Sequence, residues 1–301
     1  MKVDRTLLAV AGGAVLGAAA VAAGGRLLLT QQARHARRLI GKPWGELAGA
    51  PESDRVYKKS LGRRVELVVM GDSIAAGLGA QDEDKTLGAR LARGVVKKGR
   101  RSVRLTTVAR VGSESRDLAA QLDALPPTLV PDVTVVVVGG NDVTHRVPVA
   151  ESVRRLEACI DALHHRGSAV VVGTCPDLGA LRPVPQPLRS LGARASRQLA
   201  TAQRRAALAR GAWVVSLAHV VGPFFITNPD EMFSLDRFHP SDKGYKRTAK
   251  AMLPSVLAAL GVRDDVPFGH HAPGVPAGHQ ASGEPPAAAS LGSWTTPTRS
   301  S

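Results

Sequence analysis

Cysteine, aromatic side chains and acidic residues are all scarce in this chain of 301 residues. Two cysteines, Cys159 and Cys175, exclude a disulfide scaffold, although a single bridge between them stays open for an exported chain. Neither has metal-ligand spacing around it. Each fits the simpler use of a small buried hydrophobe. Aromatics make up only 3% of the residues, so Val, Leu and Ala must fill the core. No stretch interleaves basic and aromatic residues, as a single-strand nucleic-acid platform would, and no helix-turn-helix or zinc-finger spacing occurs. Acids number 25 against 40 Lys and Arg, for a net charge of +15. Such a surface is either simply solvated or attracted to anionic partners. An apolar share of 44% is enough for one good-sized domain with appendages.

The start of the chain reads as a targeting segment. Lys2 and Arg5 precede an apolar run from Leu7 to Ala23, extended by Leu27–Leu29 after Arg26. The small residues Val21-Ala22-Ala23 fit a cleavable signal peptide, and the total span fits a retained membrane anchor. With no cysteine in this stretch, lipid attachment through one is excluded. Residues 1–29 are therefore expected to be a leader or anchor of an exported or envelope protein. Residues 30–62 read as a basic connector whose Arg34, Arg37, Arg38 and Lys42 favour an anionic membrane face.

Five short Val-rich runs without polar alternation predict buried parallel strands: Val65–Met70, Val103–Val108, Val133–Val138, Ala169–Gly173 and Trp213–Leu217. Helical patterns separate them at Asp84–Lys98, Arg116–Leu125, Val149–Arg166 and Pro187–Arg210. A last helix is predicted from Ser241, a fitting N-cap, to Leu260 before Gly261. Alternating strands and helices imply βαβ units in a three-layer α/β/α sandwich over residues 63–261. From about 264 the chain turns rich in Pro, Gly, Ala and Ser, so 262–301 is expected to be a disordered tail. Its His270, His271 and His279 offer at most weak metal binding.

Three distant segments carry chemistry. Gly71-Asp72-Ser73 follows the first predicted strand, which puts a hydroxyl at the carboxyl edge of a parallel sheet, where such folds build their sites. Gly139-Gly140-Asn141-Asp142 follows the most apolar strand and offers a side-chain amide to a developing oxyanion. Asp236 and His239 lie three residues apart in Asp236-Arg237-Phe238-His239, close enough for the carboxylate to hold one imidazole nitrogen while the other faces Ser73. Gly112, after the second strand, can present an unshielded backbone N–H. Each segment alone has an ordinary use as a cap, turn or loop. Together they supply the nucleophile, base, orienting acid and oxyanion donors that acyl transfer needs. His145, three residues after Asp142, is a second candidate for the base. The other histidines lack a carboxylate at useful spacing in the sequence. Gly-Asp-Ser-Ile-Ala is not the Gly-x-Ser-x-Gly elbow of α/β-hydrolases.

These blocks resemble those of the SGNH hydrolases, also called the GDSL esterases and lipases, over roughly residues 63–261. The resemblance implies catalytic Ser73, Asp236 and His239, an oxyanion hole of Ser73, Gly112 and Asn141, and supporting roles for Gly71, Asp72, Gly139 and Asp142. It also implies a flavodoxin-like sheet in strand order 2-1-3-4-5, no cofactor and no metal. Two departures are Ile74, where the family name implies leucine, and a second block without its usual neighbouring asparagine. The function expected is a serine esterase or lipase acting on acyl-lipid or simple esters, with no specific nucleic-acid partner and with membrane association through the N-terminus. A carbohydrate O-deacetylase of the same fold, and a non-catalytic basic membrane- or nucleic-acid-binding protein, are the alternatives. The loops Asp177–Leu188 and Pro223–Phe233 are expected to wall the pocket, with Phe224, Phe225 and Phe233 either along an acyl groove or in the core.

Overall fold

The computed structural model describes residues 5–41, Pro43 and 49–274, with side chains from Ala20 onward. Five strands run parallel: β2 (Arg64–Gly71), β3 (Ser102–Thr107), β4 (Val133–Val137), β5 (Ala169–Gly173) and β6 (Trp213–Val215). Two-residue strands pair antiparallel at the edges, β1 (Val56–Tyr57) on β3 and β7 (His270–His271) on β6. The full order is β1-β3-β2-β4-β5-β6-β7. The parallel strands alone follow the order 2-1-3-4-5 read from the sequence.

The sheet is therefore mixed and seven-stranded rather than purely parallel and five-stranded. Val56–Tyr57 falls in the segment read as a connector and His270–His271 in the one read as a disordered tail. Each edge strand is too short to show periodicity and is held by its neighbour. Buried Tyr57 also donates its hydroxyl to the carbonyl of Ser53 at 2.8 Å, and the ring of buried His270 meets Ser255 Oγ at 2.7 Å. The remainder of the tail from residue 275, including His279, lies outside the described residues.

Side chains alternate between the faces of the sheet, so its Val-rich strands feed two cores. Val65, Leu67, Val69, Val135 and Val137 pack under the helices Leu87–Gly99 and Asp242–Ala259 through Leu87, Leu91, Tyr245, Met252 and Val256. Val68, Met70, Val136, Val170 and Val172 pack under Val149–His165 and Leu188–Ala209 through Leu156, Ile160, Leu163 and Ala207. Ser241 caps the last long helix as expected, its Oγ accepting from Gly244 N at 3.2 Å. Because β3 and β4 lie on opposite sides of β2, the connections leave β2 in opposite directions. A crevice opens at its carboxyl end, the usual ligand position in open parallel sheets.

A 36-residue helix, Arg5–Ile40, precedes the sheet. Near its end Gln32 donates to the carbonyl of Gln186 at 2.5 Å and accepts from Leu188 N at 3.1 Å, while Ala36 is buried. The apolar run Leu7–Ala23, on which a leader or anchor is expected, lies largely outside the residues with described side chains. Among the described residues no helix is long and apolar enough to cross a membrane. Cys159 and Cys175 are both free and buried, so the bridge left open by the sequence does not form. Burial pushes the Cys159 thiol up to about 12 and that of Cys175 well above its ordinary value. Both are inert hydrophobes here.

Candidate active site

Ser73 opens a one-turn helix, Ser73–Ala76, directly after β2. The turn requires glycine at 71, whose φ is +129° and where a Cβ would lie 1.8 Å from the carbonyl oxygen of Val137. Buried Asp72 caps the turn by accepting from Ile74 N at 2.9 Å, and its backbone N–H donates to Val137 O at 3.0 Å. Fully buried Gln121 clamps Gly71 from below, accepting from its N–H and donating to its carbonyl, both at 2.8 Å. Tyr245, also fully buried, donates to Leu78 O at 2.6 Å. Sequence reasoning missed both residues. The signal available was a polar group on the apolar face of a helical pattern, as in Leu118-Ala119-Ala120-Gln121-Leu122.

The ring of His239 meets Ser73 Oγ at 3.0 Å through Nε2 and Asp236 Oδ2 at 2.5 Å through Nδ1. With Nδ1–H donating to the carboxylate, Nε2 is left to accept the serine proton. The other oxygen of Asp236 accepts from the backbone N–H of Phe238 and of His239, each at 3.0 Å. Burial acts to raise the Asp236 pKa, but the hydrogen bond and charge of His239 together with these backbone donors outweigh it. The carboxyl is held below the usual carboxylate range.

The segment carrying His239 is fastened to the loop after Ser73. Ser234 Oγ donates to Gly79 O at 3.0 Å, and Ser234 N donates to His239 O at 2.8 Å. Gly79 has φ +98°, and a Cβ there would lie 2.6 Å from Pro240 O and 3.0 Å from His239 Cβ. The loops that carry Ser73 and His239 thus touch backbone to backbone.

Asn141 stands in the first turn of the Gly140–His145 helix after β4. Its Nδ2 donates to Ser113 O at 2.9 Å, which fixes the amide and leaves its second N–H for the cleft it lines. Asp142 faces the other way. It is buried and accepts from the backbone N–H of Ser115 at 3.1 Å and from the Ser115 hydroxyl. Gly112 lies one residue from Ser113 on the exposed loop, with φ +84° and an N–H that makes no hydrogen bond among the described residues. Gly139, with φ +132°, packs against Gln203 and Cys175, so a side chain there would be strained and crowded.

His145, the second candidate for the base, is paired elsewhere. Its Nδ1 lies 2.6 Å from the buried carboxylate of Glu114, and its ring is outside the cleft. The structure thus supplies a carboxylate that sequence spacing hides, 31 residues away in the chain.

Burial next to Ser73 pushes the Asp72 carboxyl up to about 6, against the N–H groups of Ile74 and Gly140 and the charge of His239, with Asp142 adding to the rise. Among the described residues no cluster of three His, Cys, Asp or Glu is placed to hold a metal ion.

Ser73, Asn141 and His239 open on a cleft. Its walls are apolar: Leu178 and Leu181 from one loop, Leu217, Val221 and Phe225 from the short helical segments after β6, and Phe233 and Phe238 beside His239. Phe225 and Phe233 meet edge to face at 4.9 Å. Phe224 lies under the guanidinium of Arg247 at 3.6 Å, so of the three phenylalanines Phe225 and Phe233 line the cleft while also packing on the core, and Phe224 does not line it.

This geometry can be set beside known proteins. Residues 69–247 match the GDSL-like lipase/acylhydrolase family. The GDSL-like esterase Rv1075c of Mycobacterium tuberculosis is 38% identical over 264 residues, covering 83% of this chain and 82% of that protein. Among solved structures, a lipase/acylhydrolase from Enterococcus faecalis superposes with a TM-score of 0.54 at 21% identity, covering 64% of this chain and 96% of that one. TesA gives 0.53 at 23%, covering 65% and 99%. At these identities the two structures speak for the fold alone. The family match and the close relative carry the assignment: the chain belongs to the GDSL-like lipase/acylhydrolase family and is a carboxylic ester hydrolase.

Proposed function

We propose that the protein hydrolyses esters of apolar acyl chains through an acyl-enzyme on Ser73. The observation that carries this reading is the unbroken chain of hydrogen bonds from Asp236 through His239 to Ser73. Ser73 Oγ attacks the ester carbonyl carbon as its proton passes to His239 Nε2. The resulting oxyanion is held by the backbone N–H groups of Ser73 and Gly112 and by the Asn141 amide. Collapse breaks the ester C–O bond, and His239 returns the proton to the departing alcohol. Water then attacks acyl-Ser73 with His239 again as base, releasing the acid and restoring the hydroxyl. Asp236 stays ionised and steadies the imidazolium formed in each half-reaction.

The apolar walls favour a fatty acyl group over the bare acetyl of a carbohydrate ester, since Leu178, Leu181, Val221 and Phe225 would face nothing if an acetyl filled the site. A p-nitrophenyl ester series from acetyl upward tests this. kcat/KM should rise with chain length from C2 into the medium range and collapse in Ser73→Ala. A series that peaks at acetyl supports the O-deacetylase reading instead.

In the same reading the Leu7–Ala23 run exports the chain or holds it at a membrane. The N-terminal sequence of the protein recovered from the cell envelope separates a cleaved leader from a retained anchor.

A further inference from the structure

Exposed aliphatic side chains, and arginines that form no ion pair among the described residues, neighbour along the chain the residues of the cleft and its loops. Ile226 follows the wall residue Phe225 and is 49% exposed; Leu235, between Phe233 and Asp236, is 79% exposed. Arg182 follows the wall residue Leu181 and donates to the carbonyl of Ile226 at 3.4 Å, tying two parts of the rim together. Arg237 follows Asp236, and Arg110 and Arg146 flank the two segments that bear Gly112 and Asn141. All four arginines are exposed, and none forms an ion pair among the described residues. The nearby acids are largely neutralised: Glu231 by Lys243 at 3.1 Å, Asp82 by Lys85 at 2.8 Å, and Asp84 by Arg55 and Arg93. Asp230 is left.

The N-terminal helix is fastened at this same edge. Gln32 binds Gln186 and Leu188, which end the loop that leaves the carboxyl end of β5 and walls the cleft. The apolar run ends at Ala23, nine residues before Gln32 and so about 14 Å up the helix axis. Between them Leu27 and Leu28 are 58% and 46% exposed.

We infer that the rim of the cleft docks on an anionic lipid bilayer, so that Ser73 meets its acyl esters at the membrane face. Leu235 and Ile226 supply the apolar contact. The four arginines supply attraction that acts within about 10 Å of the surface at ordinary ionic strength. The helix holds that rim, not the opposite end of the strands, next to the apolar run. The inference rests on the ester-hydrolase reading for what is cleaved, but the docking itself does not require it.

The test uses the full chain with one introduced cysteine carrying a nitrobenzoxadiazole label. Cys159 and Cys175 are 5% and 0% exposed and do not compete for it. Leu235→Cys and Ile226→Cys report on the rim. Arg63→Cys, at the amino end of β2 with a side chain 75% exposed, reports on the far side. On vesicles rich in phosphatidylglycerol, labels at 235 and 226 should shift to the blue and brighten, and the label at 63 should not. The shift should shrink on pure phosphatidylcholine and in high salt. Rim labels that stay unchanged while vesicles carry the chain down through its N-terminus, or an equal shift at 63, overturn the inference. Hydrolysis of a soluble p-nitrophenyl ester is measured separately. A rim shift without turnover keeps the docking and defeats the catalytic assignment, and turnover without a rim shift does the reverse.

Discussion

The side-chain amide of Asn141 donates to the backbone carbonyl of Ser113 across 2.9 Å, joining the loop after β4 to the loop after β3. That bond spends one amide hydrogen on orientation and leaves the other aimed with no freedom to wander. Asn141→Ala should therefore lower kcat by about 10²–10³, the usual cost of one oxyanion donor, with little change in KM. Steady-state kinetics on one ester measures both. A loss confined to KM contradicts the role.

Gly79 brings the backbone of the Ser73 loop against the segment that carries His239. Alanine there meets Pro240 O at 2.6 Å in a conformation that side chains avoid. The segment carrying His239 must move, and a shift of about 1 Å in a reacting group costs roughly 10²-fold in rate. Gly79→Ala should lose activity on that scale while remaining folded by circular dichroism. Wild-type turnover would show that the two loops are not coupled.

His145 and His239 each face a carboxylate, and only one faces Ser73. His145 meets Glu114 and lies outside the cleft, so His145→Ala should leave kcat close to the wild-type value. His239→Ala should abolish turnover. Comparing the two variants on the same substrate decides between the candidates.

Asp72 sets a pH dependence with a definite sign. Its folded-state pKa of about 6 is raised above the ordinary aspartate value, so ionisation opposes the fold. The group costs nothing while protonated in both states, and the native state loses stability as pH rises through 6. From pH 4.5 to 7.5 the loss amounts to about 2 kcal/mol. Asp72→Asn removes this titration, so its stability relative to wild type should improve by about that amount over the interval, read by urea unfolding at both pH values. A constant difference contradicts the raised pKa.

The strands and the principal helices were legible because they are long enough to show a pattern. Ala169–Gly173 forms over the residues its Val run marks, and Pro187–Arg210 loses only its end residues. Val56–Tyr57 and His270–His271 left no trace because pairing, not periodicity, makes them strands. Ser73, Asn141, Asp236 and His239, which the structure brings together, were readable because they keep close company with glycine or with one another in the sequence. The residues that hold them were not. Gln121 acts on Gly71 across 50 residues, Glu114 on His145 across 31 and Tyr245 on Leu78 across 167. Contacts at such separations depend on the fold and have no local signature.

The most direct measurement compares wild-type protein and Ser73→Ala in hydrolysis of a medium-chain p-nitrophenyl ester, both checked as folded. Loss of the nucleophile should reduce kcat by on the order of 10⁴–10⁶. Retained turnover in the alanine variant would place the chemistry somewhere other than the oxygen 3.0 Å from His239.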